Sequence, residues 1–265
     1  MTITAKLSYL TTQEERAYYF MDKVPEGQSA RNVRGDRHKV SIENARELAE
    51  PVTLEREGVE LVPWDRDPQN EQDAKGVIKT FYPQVEALVR KYTGASRVDA
   101  FDHNVRTSDK DQTGNKNIQA PVRLVHNDYT ESSGPQRVRD LFPKEADSLL
   151  LKRFSIINVW KPIRVPALKE PLAICDARTI QKREMIPTDL RYTNRTGEIY
   201  SFRYSPDHRW LYFPEMQTDE AILLKCYDSS SSGARFTAHT AVDDPNSPER
   251  APHRQSIEVR TLAFF

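Results

Sequence analysis

A chain of 265 residues with 39 Lys+Arg against 39 Asp+Glu has no net charge, so it lacks the basic excess of a nucleic-acid binder held by counterion release. Its length suits one large domain whose core needs no disulfide or metal staple, and its two cysteines, Cys175 and Cys226, are too few for a disulfide framework and read as small buried hydrophobes. No apolar run approaches the ~18 residues of a membrane span, and the first residues lack the apolar stretch of a signal peptide; the expectation is a soluble, cytoplasmic protein.

In chain order, Val52 to Val62 reads as two short strands around Gly58. From Asp73 to Tyr92 the apolar residues Val77, Ile78, Phe81, Val85, Leu88, Val89 and Tyr92 form a helical stripe; Pro83 predicts a kink or two abutting helices, and Gly94 a stop. Thr107 to Gln119 is a polar loop, expected to be mobile and to close over substrate. A second helix is expected from about Pro135 to Leu151, with Val138, Leu141, Phe142, Leu149 and Leu150 inward. Strand-like runs then recur at Phe154–Trp160, Leu172–Asp176, Glu198–Tyr204, Trp210–Phe213, Ala221–Tyr227, Arg235–Val242 and Ser256–Phe265, divided by Pro, Gly, Asp, Asn and Ser clusters. Regularly spaced strands with turn signals predict a sandwich or barrel, a jelly roll being one compact answer. The fold class is α+β: a single domain over 1–265, with an N-terminal extension to about residue 100, flanking helices from the first half, and a β core over about 100–265.

Chemistry concentrates at a few positions. His126 and Asp128 follow a β-branched approach and, two apart on a strand, share a face, as two cis ligands of one metal require. Alone that pair is a weak signal. His239, in another strand-like run, adds a second imidazole, and two histidines with one carboxylate are the ligand set of non-haem Fe(II) oxygenases. Arg254 and Ser256 open the last strand on one face; a guanidinium fork beside a hydroxyl suits a carboxylate, and the combination fits 2-oxoglutarate. Asn158 and Trp160 share a strand face and are candidates to line the co-substrate or substrate pocket, against ordinary core packing. Arg260 is a candidate clamp for a carboxylate, against pairing with Glu258 or another acid at the surface, and His103 a weak candidate for substrate. His38 and His208 read as solvated turn residues, and His253 points away from the Arg254 face.

Several stretches carry a resemblance: Phe101-Asp-His-Asn-Val-Arg106, Val125-His-Asn-Asp-Tyr-Thr130, Asn158-Val-Trp-Lys-Pro162, Trp210-Leu-Tyr-Phe-Pro-Glu-Met216, Lys225-Cys-Tyr-Asp-Ser229, His239-Thr-Ala and Arg254-Gln-Ser-Ile-Glu-Val-Arg260. From about residue 75 onward the chain resembles the hydroxylase/desaturase family typified by an aspergillic-acid hydroxylase and a gibberellin desaturase, together with cephalosporin methoxylase-associated proteins. Val242 departs from it where an aromatic residue is expected. The resemblance implies an Fe(II)- and 2-oxoglutarate-dependent oxygenase on a double-stranded β-helix of cupin-like form. His126, Asp128 and His239 map onto its iron triad, and Arg254 with Ser256 onto its co-substrate site. Such enzymes consume O2 and 2-oxoglutarate and oxidise an unactivated C–H bond of a small secondary metabolite or amino-acid-derived scaffold, by hydroxylation, desaturation or ring formation. No nucleic acid or membrane partner is expected, and the protein is taken as a monomer or homodimer. Two alternatives remain at this point: a zinc hydrolase on the same ligands, and a non-catalytic jelly-roll binding protein.

Overall fold

The computed structural model describes residues 2–113 and 118–265. Its strands are, in chain order, β1 (Thr2–Leu10), β2 (Ala17–Phe20), β3 (Gly35–Asn44), β4 (Val59–Pro63), β5 (Arg97–Thr107), β6 (Ile118–Gln119), β7 (His126–Asn127) and β8 (Phe154–Pro162). There follow β9 (Leu172–Cys175), β10 (Met185–Arg191), β11 (Thr196–Phe202), β12 (Trp210–Tyr212), β13 (Glu220–Asp228), β14 (His239–Ala241) and β15 (Gln255–Phe264). They form a nine-stranded sheet in the order β1-β3-β12-β9-β14-β7-β11-β10-β2 and a six-stranded sheet in the order β4-β13-β8-β15-β5-β6. The two curled sheets make the jelly-roll core.

Strand parity explains how the core divides. β8 is buried along its whole length, the mark of a strand covered on both faces. Its even positions, Ile156 and Trp160 among them, join the cluster that also holds Ile42, Ile174, Phe202 and Trp210 of the nine-stranded sheet. Its odd positions, Ile157 and Val159, join Ile257 and Val259 of β15 against Val85, Leu88 and Val89 of a helix. The alternation of side chains across a strand thus sends polar residues such as Asn158 and Ser256 into the space between the sheets. The site is built there.

The helical stripe is buried as expected at Val77, Phe81, Val85, Leu88 and Val89 but not at Ile78, which is 52% exposed, and it shows how Pro83 is accommodated. A short α1 (Ala74–Gly76) leads into a π-helical turn over Val77–Phe81, and α2 (Tyr82–Thr93) then begins with the proline in its first turn. The widened turn just before α2 takes up the proline, whose ring has no N–H to pair back into Val77–Phe81. Gly94 stops the helix at φ 71°, with its N–H donating to the Arg90 carbonyl.

Other expectations need correction. The first half supplies more than flanking helices: β1 and β3 pair along their length, and β3 joins β12 in the nine-stranded sheet, while β5 lies along β15 in the other. β1 alternates exposed and buried residues over Thr2–Leu7, so a period-two signal was present in TITAKL. Val52–Val62 gives one strand rather than two, because the Glu57 carboxylate accepts the Thr53 N–H at 2.9 Å and closes a turn ahead of Gly58. The expected helix to Leu151 is divided into α3 (Ser133–Leu141) and α4 (Ala146–Leu150). Phe142, preceding Pro143, leaves the helical region at φ −126°, ψ 56°, as a residue before proline tends to. In Arg235–Val242 the ladder extends only over His239–Ala241.

Candidate active site

Adjacent strands bring the histidines together. His126 on β7 lies directly opposite His239 on β14, with ring centroids 4.4 Å apart. Asp128 follows β7, its Oδ1 3.6 Å from His126 Nε2. Ligand atoms of His126, Asp128 and His239 all lie within 4.8 Å of one another, and among the described residues this is the cluster able to hold a metal.

The surroundings select the atoms that face a cation. His126 Nδ1 lies 2.8 Å from the Leu124 carbonyl and His239 Nδ1 lies 3.0 Å from that of Thr237. Each nitrogen there must donate, which leaves Nε2 as the lone-pair atom. Burial first, and the neighbouring His239 second, push His126 down to about 3, so its imidazole is neutral at ordinary pH. Asp128 Oδ2 accepts from Asn158 Nδ2 at 2.8 Å and from Arg260 Nε at 2.9 Å, leaving Oδ1 beside the imidazoles. Burial opposes ionisation of this carboxyl. The Arg260 charge, helped by the histidines and the Asn158 bond, nevertheless holds it well below the usual carboxylate range. Two imidazole Nε2 atoms and one carboxylate turned inward fit a divalent metal of intermediate softness.

Beside them lies a buried cation without a counter-ion. Arg254 is 2% exposed; its Nη1 donates to the Glu170 carbonyl at 2.6 Å, its guanidinium lies 5.6 Å from the Trp160 ring centre, and no ion pair is formed among the described residues. Arg254 Nε and Ser256 Oγ are buried with no hydrogen-bond partner. Burial, together with the charges of Arg106 and Arg123, pushes Arg254 down to about 9. An uncompensated buried guanidinium next to an idle hydroxyl is the complement of an absent carboxylate.

Other predicted residues take different places. Asn158 braces Asp128, with its own Oδ1 unpartnered, and Trp160 packs beneath Arg254. Arg260 is no free clamp: besides Asp128 it pairs with Asp102 at 3.0 Å and Glu258 at 3.1 Å. Nor does it sit at the surface, its side chain being 12% exposed. His103 faces away from the site, because the register that aims Asp102 and Asn104 inward turns it onto α2, where it meets the Tyr82 hydroxyl at 2.9 Å. His208 is buried rather than solvated, held between Tyr9 at 3.1 Å and Glu184 at 2.9 Å. A cavity of about 900 Å³ reaches His126 and Asp128. Its walls include Tyr19 and Val33 around the β2–β3 connection, Leu190 and Tyr192 around the β10–β11 turn, and Arg137 of α3. Arg106 and Gln119, at the ends of the polar loop, also border it; within that expected lid, residues 114–117 lie outside the described residues. The sequence reading missed Arg106, although its even spacing from Asp102 and Asn104 puts it on their face.

The chain and its fold have close counterparts. Residues 7–264 match the YDMC family model, described as an oxidoreductase/YMDC permease-like domain. The chain is 32% identical over 258 residues to the Fe(II)/2-oxoglutarate-dependent dioxygenase nvfI of Aspergillus novofumigatus, covering 95% of this chain and 91% of that protein. This chain belongs to the Fe(II)/2-oxoglutarate-dependent dioxygenases. Within them it falls among the hydroxylase/desaturase group, being 29% identical over 275 residues to the hydroxylase/desaturase poxK of Penicillium oxalicum, covering 91% of this chain and 83% of poxK. The solved structure of the iron and alpha-ketoglutarate-dependent endoperoxidase NvfI superposes with a TM-score of 0.89 at 29% identity, over 99% of this chain and 98% of that one. The dioxygenase works with Fe(II), 2-oxoglutarate and O2 on a small molecule, and among its described residues no helix is long and apolar enough to cross a membrane.

Proposed function

We propose that this dioxygenase oxidises an unactivated C–H bond of a small secondary metabolite or amino-acid-derived compound, with His126, Asp128 and His239 holding Fe(II) and Arg254 with Ser256 holding the distal carboxylate of 2-oxoglutarate. The observation that carries the assignment is the pairing of the tautomer-fixed triad with Arg254, a buried cation lacking a counter-ion. Iron, when bound, supplies the centre at which O2 and 2-oxoglutarate are consumed and the substrate C–H bond is oxidised. The residues then divide the work. Leu124 and Thr237 carbonyls orient the imidazoles, while Asn158 and Arg260 fix Asp128. Trp160 supports the Arg254 plane.

Relatives carry names from hydroxylase/desaturase to endoperoxidase, and the same residues serve each outcome, since hydroxylation, desaturation and ring formation differ in where the substrate radical is held. A zinc hydrolase would leave Arg254 and Ser256 idle. Balanced charge and the small-molecule cavity support a cytoplasmic enzyme without nucleic-acid or membrane partners, as a single domain in a monomer or homodimer. The test is anaerobic addition of Fe(II) and 2-oxoglutarate. A weak visible charge-transfer band should appear in the wild type and vanish in His239→Ala; no band in the wild type would overturn the assignment.

A further inference from the structure

The cavity is lined by seven arginines and four acids, with no lysine. Several of those charges are already spent on partners. Arg260 is held by Asp128, Asp102 and Glu258, Arg123 by Glu170 and Asp243, and the acid Glu198 by Arg16. Arg106, like Arg31, Arg37, Arg137 and Arg195, is not among those so paired, and of these five it is the one on the β5 face beside β15. Its Nη1 donates to the Ala120 carbonyl at 2.9 Å, and among the described residues it makes no ion pair. It stands on β5 directly opposite Ser256 of β15, on the face shared with Asp102 and Asn104. Yet it opens into the cavity, whereas Arg254 and Ser256 do not line it. Its side chain is half-buried on the cavity wall. Asp128 and Glu258 are near enough to act on its charge, and burial opposes that charge. A guanidinium on the cavity wall with no ion pair among the described residues is suited to an anion entering from the cavity.

We propose that Arg106 is a specificity-determining residue that grips a carboxylate of the substrate, so that the substrate class is a carboxylic acid bound with its acidic end beside the metal centre. The inference rests on the dioxygenase reading above and deepens it. Arg31 and Arg37, also on the wall and without ion pairs among the described residues, extend the positive potential toward the β2–β3 side and favour entry of an anion. Tyr19, Tyr129 and Tyr192 line the same space and supply faces for the rest of the molecule.

The probes are 2-naphthoate and its uncharged amide, 2-naphthamide, titrated calorimetrically into protein loaded with Mn(II) and saturated with 2-oxoglutarate, which binds without turning over. The wild type should prefer the acid, and Arg106→Gln should lower affinity for the acid on the order of 10- to 100-fold while leaving the amide and 2-oxoglutarate unchanged. Arg106→Lys should restore part of the preference, and unchanged 2-oxoglutarate affinity shows that the variants are folded. Equal binding of acid and amide by the wild type, binding of neither, or an acid preference that survives in Arg106→Gln would overturn the proposal. So would a variant that loses 2-oxoglutarate in parallel, since Arg106 would then belong to the co-substrate. Failure of the wild type to take up 2-oxoglutarate with Mn(II) would sink the dioxygenase assignment itself, and the proposal with it.

Discussion

Replacing Arg254 by methionine should strengthen the fold and weaken the enzyme. At neutral pH the guanidinium is charged in both the folded and unfolded chain. Its folded pKa is lowered, so the penalty on the charged form is fully present there. The fall from 12.5 to about 9 corresponds to about 5 kcal/mol against the folded state. Methionine forfeits the bond to the Glu170 carbonyl, worth roughly 2 kcal/mol, and the contact with Trp160, worth roughly 1 kcal/mol. The balance is about 2 kcal/mol in favour of Arg254→Met without ligand, or a melting temperature roughly 4–8 °C higher for a chain of this size. 2-Oxoglutarate should bind about a hundredfold more weakly, because a charge-assisted contact in a desolvated site is lost. Thermal melts of the Mn(II)-loaded protein with and without 2-oxoglutarate read both effects. The wild type should gain stability on adding the ligand, and the variant should start higher and gain little. An unchanged 2-oxoglutarate affinity, or a marked loss of stability in the ligand-free variant, would refute the reasoning.

His126→Ala should abolish Fe(II) binding, measured by anaerobic calorimetry, with the far-ultraviolet dichroism unchanged, since the strand core it leaves is intact. Arg260→Met removes one of the two donors to Asp128 Oδ2 and should weaken Fe(II) on the order of 10- to 100-fold, less than loss of a ligand; an unaltered affinity would mean that Asn158 alone positions the carboxylate. In the metal-free protein burial lowers His126, His103 and His208 below their usual 6.5. The unfolded chain therefore takes up more protons as pH falls below about 6.5, and stability should decline from there toward pH 3; a urea midpoint constant from pH 7 to 4 would contradict this. Gly58 has φ 84°, and a Cβ there would collide with Thr237 Oγ1. Gly58→Ala should cost about 1–3 kcal/mol by chemical denaturation and disturb the carbonyl that orients His239.

The strands of the second half were legible because β-branched and aromatic runs alternate with turn residues there, and β8 and β13 are covered on both faces. The ligand triad was legible as residue types two apart, but the approach of His239 to His126 depends on a ladder between distant strands that periodicity does not encode. β3 was less visible, since charged residues fill GDRHKV and the strand is largely solvated. Arg260 illustrates a different obstacle. Face parity put it correctly on the Arg254 side of β15, but which arginine would be paired and which left alone depends on Asp128, 132 positions away. His208 misled for a similar reason, because its neighbours Asp207 and Arg209 advertise solvent while Tyr9 and Glu184 enclose the ring.

Each metal-site histidine is steadied by a carbonyl two residues back in its own segment, and the carboxylate by two side chains of the facing sheet. The cavity walls instead draw on the β2–β3 connection and the β10–β11 turn. Apart from Arg106 on β5, the residues that hold the chemistry and these parts of the cavity wall thus lie in separable parts of the chain. A descendant of this protein can lengthen, shorten or recolour those two connections and reshape the far end of the cavity with its metal-site residues unaltered, so a chimaera exchanging residues 21–34 or 192–195 with a relative would change which acids fit while Arg106 kept the demand for a carboxylate.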